Sequence, residues 1–341
     1  MEQEQTRSEK PSEPWVIGVD LGGTKIAVGA VNRQGQVLAR TVLPTPVSDG
    51  PQSVLAAIAE GMRQIAAGQS TPPAAVGLAS PGPMDNKTGV AVAAANVGWY
   101  DFPVSGPLQS RFGWPIYLEN DANAAALGEW AFGAGRGVEN LIYVTISTGI
   151  GMGAVLHGRL YQGSHFTAGE AGHMVLVPDG PLCTCGERGC WEALASGTAI
   201  TREAREAVAR HPESLLAALA GGDPLRVSVA QVGEAVRRGD PVAQEVWERA
   251  VHYLEIGFTN LANLFDPDLF VVGGGVTNLS DLFLGRVEGY INAHANPGMR
   301  GRLKMVRAGL GSDSGVLGAA AVAWQGLPSE SWVEQARQEA V

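Results

Sequence analysis

The sequence predicts an α/β protein made of two related halves, and two observations carry that expectation. The stretch WVIGVDLGGTKIAVGAV, residues 15–31, reads as a buried strand, a glycine turn and a second strand. The order recurs in NLIYVTISTGIGMGAVLHG, which starts at residue 140. Runs with helical spacing alternate with apolar strands through the rest of the chain, the pattern of an α/β fold. At 341 residues there is length for two domains with their own cores.

The elements follow in order. The first strand covers Val16–Val19 and the second Ile26–Val31. NRQGQ makes a hairpin turn into a third strand, VLARTVLP. GPQSVLAAIAEGMRQIAAG is helical by apolar spacing, and AAVGLASPGPMD is a strand ending in a proline–glycine loop. PIYLENDANAAALGEWAFG combines a strand, an acidic corner and a helix that begins near Asp121. Farther on, SGTAITREAREAVARH, SVAQVGEAVRRG and PVAQEVWERAVHYLEIGFTNLANLF are helical, with Ser228 and Gln231 spaced as a capping box. DLFVVGGGV is a strand running into three glycines, and SGVLGAAAVAWQG is an alanine-rich helix. SESWVEQARQEA reads as a short amphipathic tail.

Charge narrows the partners. Net charge is −10 with 17% charged residues, which argues against nucleic acid or an anionic membrane as the main ligand. A phosphate ligand would then rely on backbone amides and a metal ion. No apolar run is long enough to span a bilayer. The start, MEQEQTRSEKPSEP, lacks the apolar centre of a signal peptide and is expected to be a disordered tail, residues 1–14. Three cysteines form no paired framework and fit a reducing cytoplasm.

Three glycine turns follow apolar strands. In DLGGTK, Gly22 and Gly23 let the backbone approach phosphate oxygens, with Asp20 placed for a metal and Thr24 and Lys25 close by; a plain hairpin is the competing reading. STGIGMG holds Thr148 and Gly149, and GGG starts at Gly273 and Gly274. Three such turns at strand ends favour a nucleotide site.

Carboxylates stand at two places. ENDANAAALGE puts Asn120 and Asp121 at a strand–helix corner, where Asp121 can deprotonate a hydroxyl or cap the helix; the roles are compatible. AGEAGH brings Glu170 and His173 together among small residues, and Glu192 follows the last cysteine; these side-chain types grip sugar hydroxyls. Cys183, Cys185 and Cys190 fall within eight residues, ten after His173. A Cys₃His set suits structural zinc. Reactive thiols and buried packing are the alternatives; the glycine and charge of CTCGERGC weigh against packing.

DLGGTK, ENDANAAALGE, TISTGIGMG, GEAGHM and CTCGERGCWEALASG, in this order, resemble the ROK family (repressor, open reading frame, kinase) from about Trp15 to Ala323. NVGWYDFP and LYQGSHFTAGEAGHM resemble its bacterial glucokinase branch. The resemblance implies an actin-like, hexokinase-like (ribonuclease H-like) fold of two domains, each with a mixed five-stranded sheet, and an interdomain cleft. The expected boundaries are 15–119 for the small domain, completed by a C-terminal helix over 314–341, and 120–313 for the large domain with its zinc loop.

The implied activity is transfer of the γ-phosphate of ATP to the 6-hydroxyl of glucose, giving glucose 6-phosphate. Mannose, fructose or N-acetylmannosamine are alternative sugars, and a non-catalytic sugar-sensing regulator is the rival from another class. The resemblance implies Asp121 as catalytic base, with sugar contacts from Gly82, Asn120, Asp121, Glu170, His173 and Glu192. It assigns phosphate contacts to Thr24, Thr148 and Gly149 and sets Gly274 near the adenosine. His173 would give one ring nitrogen to zinc and the other to the sugar. ATP, Mg²⁺ and a structural Zn²⁺ held by His173, Cys183, Cys185 and Cys190 are the implied cofactors, and a homodimer or homotetramer the expected assembly. Ser147 and Met152 stand where many relatives carry glycine, so Met152 must point away from the phosphates.

Overall fold

The computed structural model describes residues 13–328. Apart from Glu13 and Pro14, the tail expected over 1–14 lies outside the described residues, as does the amphipathic tail after residue 328. The chain forms two compact units. One runs to Asp121 and resumes at Gly315; the other is Ala122–Ser314.

The first unit contains β1 (Trp15–Leu21), β2 (Lys25–Asn32), β3 (Val37–Pro44), α1 (Pro51–Ala67) and β4 (Val76–Ser80). A small sheet follows, of β5 (Met84–Asp85), β6 (Val90–Ala94) and β7 (Trp99–Pro103). Then come α2 (Ser105–Phe112) and β8 (Ile116–Asn120). The main sheet has the order β3-β2-β1-β4-β8. Pairings from β3 to β1 are antiparallel, and those from β1 to β8 are parallel.

Both central strands are buried along nearly their whole length, so both sheet faces must be covered. The covering helix at the chain's end, α10 (Ser314–Gly326), explains three glycines. Gly29, Gly18 and Gly77 are cross-strand neighbours on β2, β1 and β4. A Cβ at Gly18 or Gly77 would collide with the backbone carbonyl of Val316 or Ala319. The glycines and the alanines of α10 therefore allow backbone-to-backbone packing.

The second unit opens with α3, whose range Asp121–Phe132 begins at the last residue of the first unit. Next are β9 (Leu141–Ile146), β10 (Ile150–Leu156) and β11 (Arg159–Leu160). Helices α4 (Trp191–Ala195), α5 (Gly197–Arg210), α6 (Leu215–Leu219), α7 (Val229–Arg237) and α8 (Pro241–Phe265) follow. The unit closes with β12 (Leu269–Gly273), α9 (Leu284–His294) and β13 (Met305–Arg307).

Its sheet order, β11-β10-β9-β12-β13, repeats the first sheet's pattern of antiparallel then parallel pairings. The duplication visible in residues 15–31 and 141–156 is thus a duplication of topology. Met152 is buried in this unit's core, which answers the question its size raised. Trp191 and Phe270 each meet Phe258 edge-on, at centroid distances of 5.4 and 5.5 Å, fixing α8 against α4 and the sheet. The capping box of Ser228 and Gln231 is formed at the start of α7.

Candidate active site and metal centre

In the first unit, the expected residues cluster at the carboxyl ends of β1 and β8. The DLGGTK turn is pinned from β3's end: Thr45 donates its hydroxyl to the Gly22 carbonyl at 2.7 Å and its amide to the Thr24 carbonyl at 3.0 Å. Gly23, Thr24 and Lys25 stay exposed. Asp20 packs against the first turn of α10, where a Cβ at Gly315 would collide with its carboxylate. Burial raises the Asp20 pKa above 3.8, and the charge of Asp121 adds to the rise; Lys25 and Arg40 oppose it.

Asp121 is the first residue of α3, directly after β8. Its neighbour Asn120 is held on both sides. The Asn120 amide group donates to the Gly82 carbonyl at 3.3 Å, and its backbone N–H donates to Glu119 at 2.9 Å. Glu119 is buried and also accepts from the Asn86 side chain at 3.2 Å. Gly82 has φ of 87°, and a Cβ there would meet the Ala93 carbonyl.

In the second unit, the turn after β9 carries Thr148 and Gly149. Ser147 donates its N–H to the Gly149 carbonyl at 2.9 Å, and its own carbonyl accepts the Gly197 N–H at 2.7 Å. The small hydroxyl at 147 is therefore accommodated by backbone bonding. Glu192, on α4, accepts the Ile150 N–H at 3.0 Å through Oε2. Gly149 lies so close to this carboxylate that a Cβ would collide with it. Glu170 and His173 flank a short turn that rests on β10, where Gly172 meets the Ile150 carbonyl.

His173, Cys183, Cys185 and Cys190 come together, with all four ligand atoms within 4.8 Å of one another. Cys185 and Cys190 sulfurs are 3.7 Å apart, and the Cys183 sulfur is 3.6 Å from His173 Nδ1. A tetrahedron with Zn–S of ~2.3 Å and Zn–N of ~2.0 Å requires separations of about 3.8 and 3.5 Å. Burial, then the neighbouring thiols, push the Cys190 thiol up to about 12. A dication held there would supply the charge that lets it ionise. The donor set fits Zn²⁺ and leaves His173 Nε2 facing away from the sulfurs, 3.8 Å from Glu170.

The chain matches the ROK family model over residues 16–325. It is 37% identical to the glucokinase of Thermotoga maritima over 308 residues, 90% of this chain and 96% of that protein. The chain belongs to the ROK family. Among solved structures, a ROK family glucokinase from Streptomyces griseus in complex with glucose and AMPPNP is 37% identical. It has a TM-score of 0.76 and covers 92% of this chain and 100% of its own. A ROK hexokinase from Thermus thermophilus is also 37% identical, with a TM-score of 0.78, covering 91% and 98%. The fold is the actin-like one shared by ROK kinases.

Against this ROK frame, sequence reasoning missed a cavity of about 830 Å³ in the second unit. It is bounded by Ser147 and Thr148, by Gly275 and Val276 after β12, and by the starts of α5 and α7. Residues 198, 201, 202, 205 and 206 line it at helical spacing along α5. That polar stripe was the available signal. Two of the three expected glycine turns thus border one space of nucleotide size. Gly273 and Gly274 also border a second cavity of about 460 Å³, with Tyr143, Thr277 and Arg307.

Proposed function

We propose that this chain is an ATP-dependent glucokinase that forms glucose 6-phosphate. The observation that carries this reading is the likeness, over 92% of the chain, to a glucokinase solved with glucose and AMPPNP. In this reading Asp121 accepts the proton of the sugar 6-hydroxyl as that oxygen attacks the γ-phosphorus. Asn120, fixed by Gly82 and Glu119, orients the sugar. Glu170, His173 through Nε2, and Glu192 complete the set of hydroxyl partners.

The family resemblance assigns phosphate contacts to Thr24 beside the Gly22–Gly23 turn and to Thr148 with Gly149, and each turn by itself offers backbone and hydroxyl donors. The nucleoside occupies the 830 Å³ cavity beside Gly274. A Mg²⁺ ion held by Asp20 would neutralise phosphate charge, which the raised Asp20 pKa and the nearby Asp121 charge support. Zinc on four protein ligands leaves no open position for water, so its part is to fix the loop that carries His173 and Glu192.

The reading extends to a cytoplasmic homodimer or homotetramer with no nucleic-acid or membrane partner. The −10 net charge supports the last two points. Among the described residues, no helix is long and apolar enough to cross a membrane.

A sugar panel tests the proposal. With ATP and Mg²⁺, glucose is expected to give a higher kcat/KM than mannose, fructose or N-acetylmannosamine, because displaced hydroxyls leave polar groups unpaired. Equal values for glucose and mannose would remove the glucose assignment and leave sugar phosphorylation standing. No phosphorylation of any sugar would favour the regulator.

A further inference from the structure

We infer that Glu206 reads the ribose hydroxyls of the phosphate donor and so sets the preference for a ribonucleotide. This rests on the kinase reading and goes beyond it, to the donor's sugar. Helix α5 acts as a ruler along the 830 Å³ cavity. At its N-terminus, Gly197 and Thr198 are bonded to the phosphate turn, through Gly197 N–H to the Ser147 carbonyl at 2.7 Å and Thr198 N–H to the Thr148 carbonyl at 3.3 Å. Phosphates belong at that end because it adjoins the turn of Thr148 and Gly149, and the helix dipole adds partial positive charge there although its first N–H groups are already bonded. Residue 206 lies eight positions farther along, or ~12 Å at the helical rise. That distance is of the order of an extended triphosphate with its sugar.

The chemistry at the far end selects against phosphate. Among the described residues, Glu206 is the one carboxylate lining this cavity. A second negative group there would repel it, whereas hydroxyls can donate to it. The two arginines nearby are engaged elsewhere. Arg205 donates to the Leu225 carbonyl at 3.2 Å, and Arg202 donates to the Ala193 carbonyl at 2.9 Å and to Glu203 at 3.2 Å. The Glu206 backbone carbonyl accepts from Arg210, but its carboxylate takes part in no hydrogen bond or ion pair with the described residues. Two oxygens on a planar carboxylate match two vicinal hydroxyls, as acids do for the ribose of dinucleotides. Val229, Ala230 and Val276 line the same cavity and offer apolar surface for the base.

The test compares ADP with 2′-deoxyADP by calorimetry, and ATP with 2′-deoxyATP in glucose phosphorylation, for wild type, Glu206→Gln and Glu206→Ala. Wild type is expected to bind ADP on the order of tenfold tighter than 2′-deoxyADP, the worth of one hydrogen bond to a charged group. In Glu206→Ala the two nucleotides should converge through weaker ADP binding, with the glucose KM unchanged. GTP should lose no additional ground from the substitution beyond what ATP loses. Inorganic tripolyphosphate, which has no sugar, should compete with ADP equally well in wild type and Glu206→Ala. Unchanged discrimination in both variants overturns the inference, as does a GTP-specific or tripolyphosphate-specific change. If no sugar is phosphorylated but ADP discrimination is present and lost on substitution, the kinase reading fails and the ribose site stands.

Discussion

Glu192 Oε2 accepts the Ile150 N–H at 3.0 Å, and this bond ties the end of the cysteine loop to the glycine turn after β9. The other oxygen, Oε1, accepts the Thr184 hydroxyl at 3.2 Å within the loop itself. One carboxylate therefore touches the cysteine loop and the glycine turn at once. The family resemblance implies Glu192 only as a sugar contact; in the structure the same carboxylate is also bonded to the start of β10, beside Thr148 and Gly149.

The first prediction concerns the metal. Cys185→Ala leaves three protein ligands; elemental analysis is expected to find stoichiometric Zn²⁺ in wild type and to find it lost from the purified variant. Glucose affinity is expected to fall roughly 10- to 100-fold, as Nε2 of His173 loses its aim. Nucleotide affinity should fall by a smaller but measurable factor, through Glu192 and Ile150. Wild type free of zinc, or unchanged glucose affinity in the variant, would assign the cysteines another role.

Asp20 should carry a stability signature. Its pKa is raised above 3.8 in the fold, burial being the main cause. Such a group contributes stability below its unfolded pKa, and that contribution is lost as pH rises through the folded value. Asp20→Asn is therefore expected to melt above wild type at pH 7 without Mg²⁺, the gap closing as pH falls toward 3.8. Mg²⁺ should raise the Tm of wild type more than that of the variant. Melting curves with and without Mg²⁺ at several pH values decide this.

Glu129 ties α3 to the chain just before α10. It is fully buried and accepts the N–H groups of Ala134, Gly309 and Leu310 at 2.8, 3.0 and 3.0 Å. Glu129→Ala orphans three donors and should cost ~3 kcal/mol or more in denaturant unfolding. Glu129→Gln keeps an acceptor and should cost less. Equal unfolding midpoints for wild type and Glu129→Ala would contradict the assignment.

Local signals made the strand–turn–strand repeat, the Ser228 capping box and the Cys₃His cluster legible in the sequence. Each is encoded by residues near one another in the chain. Glu119 and Glu129 were not legible as buried anchors, because their partners come from distant segments such as Asn86 and Gly309. An acid inside a helical or strand pattern otherwise reads as a solvated face. The glycines at 18, 29 and 77 looked like ordinary strand residues until α10, some 240 residues beyond Gly77, was seen to need their missing side chains. The lining of the large cavity stayed hidden for the same reason: α5, α7 and the two turns meet only in the folded unit.

The proposed role of Asp121 is as base for an ATP-dependent phosphorylation of glucose. It is tested most directly by steady-state formation of glucose 6-phosphate by wild type and Asp121→Asn, beside glucose affinity by calorimetry. Wild type is expected to form product dependent on ATP and glucose, and the variant to show a kcat lower by ~10²–10⁴-fold with glucose still bound. Near-wild-type turnover in a folded Asp121→Asn enzyme would contradict it.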